Sequence, residues 1–350
     1  MDMPPIRYAT TPDGVTLAYA VHGPGMPVVF LPFHFNSQQF RWSMAWLGDV
    51  SQHACVAAYD GRGQGLSTRD LGRDFTMADF RCDLETVIEA AEFERFVLAA
   101  YGGFGHVAVR YAVENPERVH ALVLICTAET FSAYPWLSML PLADENWDLF
   151  VRLQLKNRPA HVLERTVANF TSAATPRDYA GMIRGFATSE IGDALQRLDL
   201  PVLVIHSLEQ HWLSREQSAR LAAKIPGARI SFLDDGGEAE PEPTRGARAI
   251  IEFLEGLPAI GPGEAGPLGS HSAHGELSPR QADVLKLIAD GKTTREIAGL
   301  LVLSDRTVER HIADIYAKIG ARNRSEATAF YLRTRTLQAS ALAESTQPGG

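Results

Sequence analysis

The sequence has few cysteines and no long apolar segment. Cys55, Cys82 and Cys126 are its three cysteines among 350 residues, and they form no CxxC pair and no Cys/His metal pattern. Widely spaced cysteines are typical of reduced cytoplasmic thiols, so we expect neither disulfides nor a bound metal, and no cofactor motif is apparent. No apolar run approaches the ~20 residues that span a bilayer, and the N-terminus lacks the regions of a signal peptide. We therefore expect a cytoplasmic protein with no membrane partner.

Positive charge is also scarce, but it is unevenly distributed. The chain carries 33 Lys and Arg against 42 Asp and Glu, a formal net charge of -9. In residues 277–335, however, eleven Lys and Arg stand against seven Asp and Glu, so this segment contributes +4 and the remainder -13. A basic module on an acidic chain is typical of nucleic-acid binding, although on charge alone a chance fluctuation stays open.

Composition divides the chain into two parts. Residues 257–275 (LPAIGPGEAGPLGSHSAHG) are rich in small residues and proline without apolar periodicity, which predicts a flexible linker, and residues 336–350 are predicted to be a disordered tail. Before the linker, apolar runs alternate with amphipathic helical patterns, which predicts an α/β fold with a mostly parallel sheet. A mainly helical insert at 128–197 is rich in aromatic residues. The predicted strands are 15–21, 27–32, 53–60, 96–100, 121–126, 201–207 and 229–234.

A glycine-rich turn follows the fourth predicted strand. The stretch LAAYGGFGHVAVRYA (98–112) reads as a strand, a turn and a helix, and it contains no Ser, Cys or Asp. Residues 5–256 resemble the α/β-hydrolase superfamily, in which this turn carries the nucleophile. The resemblance implies an α/β-hydrolase domain at 1–256 with a helical cap at about 128–197. It also rests on PVVFLP (27–32), AYDGRGQGLS (58–67), RYAVENPERVHALVLI (110–125) and PVLVIHSLEQHWLSREQSARLAAKIPGARISFLDDGGE (201–238).

The resemblance places the catalytic positions on residues that lack the required chemistry. The nucleophile position falls on Gly102, the acid on Gln210 and the histidine on Glu238, while the usual His-Gly of the oxyanion loop falls on Pro32–Phe33. Covalent acyl transfer needs a nucleophile, a base and a group that orients the base, and proline has no N–H to donate to an oxyanion. We therefore expect a catalytically degenerate domain with no catalytic residues.

A small-molecule site is the alternative use of such a domain. Each aromatic residue of the insert fits a packed core by itself, but as a set over an apolar cleft they favour a pocket for a small, mainly apolar molecule. Histidines near the predicted rim could join such a pocket, or an unrecognised catalytic set, or have ordinary hydrogen-bonding roles: His34, His106, His206 and His211. The predicted ligand-binding residues are Phe33, His34, Tyr101, Gly102, Gly103, Phe131, Trp136, Trp147, His211, Trp212 and Glu238.

The segment 277–332 predicts four short helices. Ser278–Pro279 starts the first and Gly291 ends it, Thr293 or Thr294 starts the second, Ser304–Asp305 starts the third, and Ser325 caps the fourth. A short helix, a turn and a further helix form a helix-turn-helix. The predicted core residues, which recur at helical spacing, are Val284, Leu285, Ile288, Ile297, Ala298, Leu301, Val308, Ile312, Ile315 and Ile319.

The C-terminal helices resemble the LuxR-type (NarL/FixJ-type) DNA-binding domain at 276–335. The matching motifs are LSPRQxxVLxLIAxG, TxxEIAxxL and SxxTVExHIxxIxxKIGxRNRxEA. The resemblance implies an all-α four-helix domain whose third helix enters the major groove, where Arg310 suits guanine and Glu309 suits cytosine. For each basic residue, a solvated surface charge stays an alternative. The predicted DNA-binding residues are Thr294, Arg295, Arg306, Thr307, Glu309, Arg310, Ala313, Lys318 and Arg322.

These patterns leave three hypotheses for function. The first is a transcriptional regulator whose hydrolase-fold domain binds a small molecule without hydrolysing it and passes the signal to DNA. The second is an enzyme with an atypical catalytic set fused to a DNA-binding domain, and the third is a hydrolase-fold dimerisation scaffold. The expected partners are promoter DNA, a small-molecule effector, a second copy of the chain and RNA polymerase.

Overall fold

The computed structural model describes residues 4–32, 45–156, 160–207, 213–233, 245–260, 279–289 and 292–301, with the single residues Val308, His311, Ile312 and Ile315. The chain separates into two compact units, Met1–Gly269 and Ser270–Gly350.

The first unit contains an eight-stranded sheet with the strand order 1-2-4-3-5-6-7-8. The second strand is antiparallel to both of its neighbours, and the third to the eighth strands are parallel. The strands are β1 (Arg7–Thr10), β2 (Thr16–His22), β3 (Met26–Phe30), β4 (Ala54–Tyr59), β5 (Phe96–Tyr101), β6 (Val119–Ile125), β7 (Val202–Ser207) and β8 (Arg229–Leu233).

The central strands are apolar because both faces of a parallel sheet are covered. β4 (ACVAAY) and β6 (VHALVLI) are buried at every position, and β5 is buried except at Tyr101. All seven predicted strands are present, with boundaries within two residues of the prediction. β1 was not predicted, because RYAT is a short edge strand that is mostly exposed and has no apolar run.

Ten α-helices surround this sheet among the described residues of the first unit. α1 packs against α10, and α2 packs against α3. The segment between β6 and β7, here called the cap, contains α4 to α8 and two short 3-10 turns, Phe131–Ala133 and Pro135–Met139. The helices are α1 (Ala45–Val50), α2 (Met77–Ala90), α3 (Phe104–Glu114), α4 (Pro141–Glu145), α5 (Trp147–Gln154), α6 (Ala160–Ala173), α7 (Pro176–Phe186), α8 (Gly192–Leu195), α9 (Arg215–Ala223) and α10 (Arg245–Glu255).

The second unit begins with two helices, α11 (Pro279–Ala289) and α12 (Thr294–Leu301). Thr293 caps α12 through a reciprocal pair of bonds: the Glu296 amide donates to the Thr293 hydroxyl at 3.3 Å, and the Thr293 amide donates to the Glu296 carboxylate at 2.8 Å. Val308, His311, Ile312 and Ile315 are also helical. Nine of the ten predicted core residues form one apolar cluster, and Ile319 lies outside the described residues.

Within the described ranges, no helix is long and apolar enough to cross a membrane.

Candidate functional site

The turn at Gly102 joins β5 to α3 through backbone hydrogen bonds. Gly102 has φ +56, a left-handed conformation that glycine adopts without the steric cost of a side chain. Its amide donates to the Ile125 carbonyl at 2.9 Å, and its carbonyl accepts from the Gly105 amide at 3.1 Å. The sharp strand-turn-helix geometry of a nucleophile elbow is therefore present, with no side chain at its apex.

Two further glycines allow the cap to approach this turn closely. A Cβ atom at Gly103 would lie 2.6 Å from Cε2 of Phe131 and 3.0 Å from Cδ2 of Phe186, both cap residues. A Cβ atom at Gly105 would lie 2.3 Å from the hydroxyl of Thr127. Since real Cβ atoms do not approach so closely, glycine is needed at both positions, and Phe131 lies directly on Gly103.

A continuous series of aromatic rings runs from this turn into the cap. Phe131 lies 6.1 Å from Trp136 between ring centroids, Trp136 lies 6.4 Å from Tyr179, and Tyr179 lies 5.4 Å from Trp147. Phe150 stacks on Trp147 at 5.7 Å with an interplanar angle of 11°. The structure thus links the predicted ligand residues Phe131, Trp136 and Trp147 through Tyr179.

The cap also contains buried polar atoms without a hydrogen-bond partner. These atoms are Nε1 of Trp147, Nε2 of Gln154 and the hydroxyl of Tyr179. Gln154 follows Trp147 by seven residues, so the two side chains lie on the same face of α5. Burial raises the pKa of Tyr179, so its hydroxyl keeps its proton. An apolar environment with three unpaired donors is suited to a ligand with acceptor atoms.

His106 joins the two ends of the cap. Its Nε2 lies 2.9 Å from the Ala128 carbonyl, which can only accept, so Nε2 carries the proton and Nδ1 accepts from the Ser189 hydroxyl at 2.8 Å. Burial lowers the pKa of His106 to about 4. Ala128 precedes the cap helices and Ser189 follows α7, and the backbone amide of Phe131 donates to the Ser189 carbonyl at 3.0 Å. His106 therefore holds both cap junctions beside the Gly102 turn.

His206 has a similar structural environment on β7. It is buried, its Nδ1 lies 2.8 Å from the Ser218 hydroxyl on α9, and its ring packs edge-on against Phe232 at 5.9 Å. Burial lowers the pKa of His206. Both described histidines of the predicted rim thus have the ordinary hydrogen-bonding roles that the sequence had left open, whereas His34 and His211 lie outside the described residues.

Helix α7 attaches the cap to the turn after β4. The Asp178 carboxylate, which is buried, accepts from the backbone amides of Asp70 at 2.7 Å and Leu71 at 3.3 Å. On the protein surface, Arg184 of the same helix pairs with Asp74 at 2.8 Å. These bonds fix the helix that carries Tyr179 relative to the sheet.

The motif AYDGRGQGLS forms a buried ionic cluster and not a catalytic one. The Arg62 side chain is fully buried and pairs with Asp79 and Asp83 at 2.7 Å and with Asp13 at 2.9 Å. Because every guanidinium nitrogen is engaged with a carboxylate, the cluster holds the loop between β4 and α2 against β1 and β2. Among the described residues, no group of His, Cys, Asp and Glu side chains is arranged to hold a metal ion.

The first turn of α12 carries a polar side chain, Thr294, and a cation, Arg295. Thr294 is half-buried in the first turn, Arg295 next to it is exposed, and Val308 and Ile312 are in the apolar cluster below. A helix N-terminus with an adjacent cation is a natural phosphate contact.

Comparison with known proteins decides the nature of this second unit. The sequence profile of bacterial regulatory proteins of the luxR family matches residues 275–331. The spore germination protein GerE of Bacillus subtilis (strain 168) is 39% identical over 62 residues, which make up 18% of this chain and 84% of that protein. The chain belongs to the luxR family of bacterial regulatory proteins. Its second unit contains the family's helix-turn-helix DNA-binding domain.

The first unit of this LuxR-family chain has the α/β-hydrolase fold. The profile of that fold matches residues 36–177. RutD of Variovorax paradoxus (strain S110), named as a candidate carbamate hydrolase, is 26% identical over 264 residues, 70% of this chain and 98% of that protein.

Solved structures agree on the fold. A hydrolase from Pseudomonas aeruginosa PA01 has a TM-score of 0.60 at 24% identity over 71% of this chain and 98% of its own. A thermophilic esterase from Thermogutta terrifontis has a TM-score of 0.61 at 22% identity over 72% of this chain and 98% of its own. The prediction of a hydrolase fold joined to a LuxR-type domain is therefore confirmed.

The structure describes part of each predicted site in this LuxR-family chain. Tyr101, Gly102, Gly103, Phe131, Trp136 and Trp147 lie along the turn and the cap series. Residues outside the described ranges are Phe33, His34, Gln210, His211, Trp212 and Glu238 at the first site, and Arg306, Thr307, Glu309, Arg310, Ala313, Lys318 and Arg322 at the second.

Sequence reasoning missed Tyr179, Phe186 and Ser189 as part of the site. A signal for the first two was available, since Tyr179, Met182, Ile183 and Phe186 recur at helical spacing on one face of α7, and all four are buried. Ser189 carries no such signal, because its role depends on the fold bringing it to His106.

Proposed function

We propose that this LuxR-family chain is a transcriptional regulator whose hydrolase-fold unit binds a small, mainly apolar molecule without hydrolysing it. The observation that carries the proposal is Gly102, which keeps the elbow geometry with φ +56 but places no nucleophile there. Cap rings lie on this turn, and a DNA-binding domain follows in the same chain. Binding without turnover is the use that this combination supports.

The absence of turnover follows from the chemistry of the elbow. Thr127, which follows β6, places a hydroxyl beside the Gly102 turn, but this side chain is fully buried and donates to the Gly102 carbonyl at 3.3 Å. The positions that would supply the acid and the relay base read Gln210 and Glu238. Because a nucleophile needs a base and the base needs an orienting group, replacing all three removes covalent acyl transfer.

The proposed ligand contacts are the predicted residues, extended by Tyr179. The described members of the set lie along the Gly102 turn and the cap, and the proposed ligand lies between the elbow and the aromatic rings. The set is Phe33, His34, Tyr101, Gly102, Gly103, Phe131, Trp136, Trp147, Tyr179, His211, Trp212 and Glu238.

The proposed DNA contacts follow the family's docking geometry, with the third helix in the major groove. Glu309, Arg310 and Ala313 face base edges, and Arg310 donates to the O6 and N7 atoms of guanine. Phosphates are contacted by Thr294, Arg295, Arg306, Thr307, Lys318 and Arg322. We propose two further partners, RNA polymerase and a second copy of the chain. The second copy is proposed because helix-turn-helix regulators that bind two half-sites as dimers recognise a longer operator.

Regulation requires that the ligand bind two states of the chain unequally. A molecule with equal affinity for the DNA-bound and the free state shifts nothing, whereas a tenfold difference changes operator affinity tenfold. The proposed effector therefore favours one arrangement of the units over another.

Substitution of Arg310 tests the DNA-binding part of the proposal. Arg310→Ala is expected to weaken binding to an operator selected from random sequence by about five- to 150-fold, because a bidentate guanine contact contributes about 1–3 kcal/mol. Lys286→Ala is the matched control, since Lys286 is an exposed cation of α11 in the same unit. Equal affinities of wild type and Arg310→Ala, with the same salt dependence, would contradict the proposal.

The alternative function, an enzyme with an atypical catalytic set, has one specific observation in its support. Ser189 and His106 form a serine–histidine pair at 2.8 Å, the geometry of an activated nucleophile. Both side chains are buried, the histidine is oriented by a carbonyl and not a carboxylate, and burial lowers its pKa to about 4, so it is a weak base. An enzyme that uses this pair would hydrolyse nitrophenyl esters and lose the activity in Ser189→Ala. We expect no turnover above the uncatalysed rate in either protein.

A further inference from the structure

Three cap helices and the 3-10 turn Pro135–Met139 together form one aromatic cluster, here called the cap cluster: Trp136, Trp147, Phe150, Phe170 and Tyr179. Phe170 of α6 meets Trp147 edge-on at 5.4 Å, and Tyr179 lies 5.6 Å from both Phe150 and Phe170. Phe150, Phe170 and Tyr179 are each at most 1% exposed. The rings of the cluster meet at interplanar angles between 11° and 73°, so they present flat apolar surfaces in several directions, which suits a planar ligand.

The buried polar atoms without a partner in the cap, two from the cluster and one from Gln154, are all able to donate a hydrogen bond. The Trp147 indole N–H can only donate, the Gln154 amide nitrogen donates, and the Tyr179 hydroxyl has its proton available. None of these three atoms has a partner among the described residues, and all three are shielded from solvent. Because a buried donor without an acceptor is destabilising, a ligand that brings acceptor oxygens to these atoms gains both hydrogen bonds and apolar contact.

The charges around the cluster indicate an uncharged ligand. Four arginines stack on aromatic rings in the described part of the chain, but their rings are Phe75, Phe96, Phe232 and Phe253, none of which belongs to the cluster. An anionic ligand would be buried in the cluster without a stacked cation to balance its charge, and burying an unpaired charge is costly.

We propose that the cap cluster binds an uncharged aromatic molecule that carries a carbonyl-type oxygen. The aromatic ring packs against Trp147 and Tyr179, and the oxygen accepts from the indole N–H and the phenolic hydroxyl. This inference rests on the proposed function, in that the hydrolase-fold unit binds a small molecule. The route to the elbow is short, because Trp136 contacts both Tyr179 and Phe131, which lies on Gly103.

Four small probes separate the ring from the oxygen and the charge. Acetophenone has both features, ethylbenzene has the ring without an acceptor, cyclohexyl methyl ketone has the acceptor without the ring, and benzoate adds a negative charge. Binding to the full-length protein is measured by calorimetry and by tryptophan fluorescence at millimolar concentrations, as befits ligands of about nine heavy atoms. We expect acetophenone to bind about tenfold more tightly than ethylbenzene, which corresponds to one hydrogen bond to a buried donor, and also more tightly than cyclohexyl methyl ketone and benzoate.

Tyr179→Phe is the decisive variant because it removes one oxygen and keeps the ring. We expect it to weaken acetophenone binding about five- to tenfold, to leave ethylbenzene binding unchanged, and to leave the melting temperature of the ligand-free protein unchanged or higher. Trp147→Phe tests the second donor in the same way. Tyr111→Phe is the control, since the Tyr111 hydroxyl already accepts from Arg118 at 3.1 Å in the body of the sheet unit.

Three results would overturn the proposal. One is equal binding of acetophenone and ethylbenzene, and a second is no binding of any probe to the wild type. The third is a Tyr179→Phe protein that melts at a lower temperature with unchanged acetophenone affinity, which would show that the hydroxyl serves the fold.

The affinity of the protein for its operator distinguishes a failure of the proposed ligand class from a failure of the proposed regulatory function. Tyr179-dependent acetophenone binding with unchanged operator affinity would contradict regulation and leave the ligand class standing. Operator affinity that responds to benzoate and not to acetophenone would support regulation and overturn the ligand class.

Discussion

Gly103→Ala adds a single methyl carbon beneath Phe131 and tests whether the cap closes on the elbow. The new Cβ atom would lie 2.6 Å from Cε2 of Phe131, roughly 1 Å inside normal carbon–carbon contact. The Gly103 backbone has φ -62, so alanine is not strained by its conformation. The cost therefore comes mainly from displacing the Phe131 ring, which also contacts Tyr134, Trp136 and Phe186. A smaller part comes from Phe186 itself, whose Cδ2 would lie 3.0 Å from the new atom.

The magnitude follows from these contacts. Overpacking of this kind costs about 1–3 kcal/mol, and each kcal/mol lowers the melting temperature of a unit of this size by roughly 2–4 °C. Phe131→Ala alone should cost about 3–5 kcal/mol by leaving a cavity. In the double variant the clash with Phe131 is gone and only the approach to Phe186 is left, so the cost of the double variant should fall short of the sum of the single variants by about 1 kcal/mol.

Urea unfolding of the wild type, the two single variants and the double variant is followed by tryptophan fluorescence. The difference between the cost of the double variant and the sum of the single costs is the coupling free energy of Gly103 and Phe131. Gly227→Ala combined with Phe131→Ala is the control. A Cβ atom at Gly227 meets nothing within 4 Å, so the cost of Gly227→Ala arises only from the backbone conformation at φ +69. The control pair should be additive. Additivity within about 0.5 kcal/mol for the Gly103 pair would refute a Phe131 ring seated on the turn.

Three further predictions concern the same unit. Burial lowers the pKa of His106 to about 4 in the folded state, below the unfolded value near 6.5, so its contribution to stability is fully present above pH 6.5 and is lost as the pH falls toward 4. The free energy of unfolding, measured by urea titration, should fall over that window by up to about 1.4 kcal/mol per pH unit, and His106→Gln should flatten the slope. An unchanged slope in His106→Gln would assign the titration elsewhere. Asp178→Asn should cost about 1.5–3 kcal/mol in unfolding free energy by weakening the bonds to the amides of Asp70 and Leu71, whereas Asp193→Asn, at an exposed position of the cap, should be neutral; equal effects would contradict the anchoring role. Gly102→Ser restores a hydroxyl at the elbow but should cost about 1–2 kcal/mol at φ +56 and yield no nitrophenyl ester turnover; measurable turnover would show that the other catalytic roles are present.

Much of the fold could be predicted from the sequence because it depends on local patterns. Apolar runs such as FVLAAY and VHALVLI specify buried parallel strands by composition alone, and Thr293 with Glu296 specifies a helix start. The edge strand RYAT was missed because its four residues become a strand only by pairing with β2.

The site was less predictable because its decisive properties arise from tertiary packing. The absence of a nucleophile at Gly102 is visible in the sequence, but the unpaired hydroxyl of Tyr179 is not, since it depends on which side chains surround it. His106 was predicted to lie near the rim of the sheet. The structure shows it buried between Ala128 and Ser189, residues that are 61 positions apart and that the cap junction brings together.

The central claim is that a ligand bound by the hydrolase-fold unit changes DNA binding without being consumed. The most direct measurement is the operator affinity of the full-length protein with and without acetophenone at saturation, followed by recovery of the probe. The same experiment is run with phenyl acetate, a neutral aromatic ester that a hydrolase would cleave to phenol and acetate. The account predicts an operator affinity that changes about tenfold with either probe and phenyl acetate recovered intact. Unchanged operator affinity, or enzyme-dependent release of phenol, would contradict it.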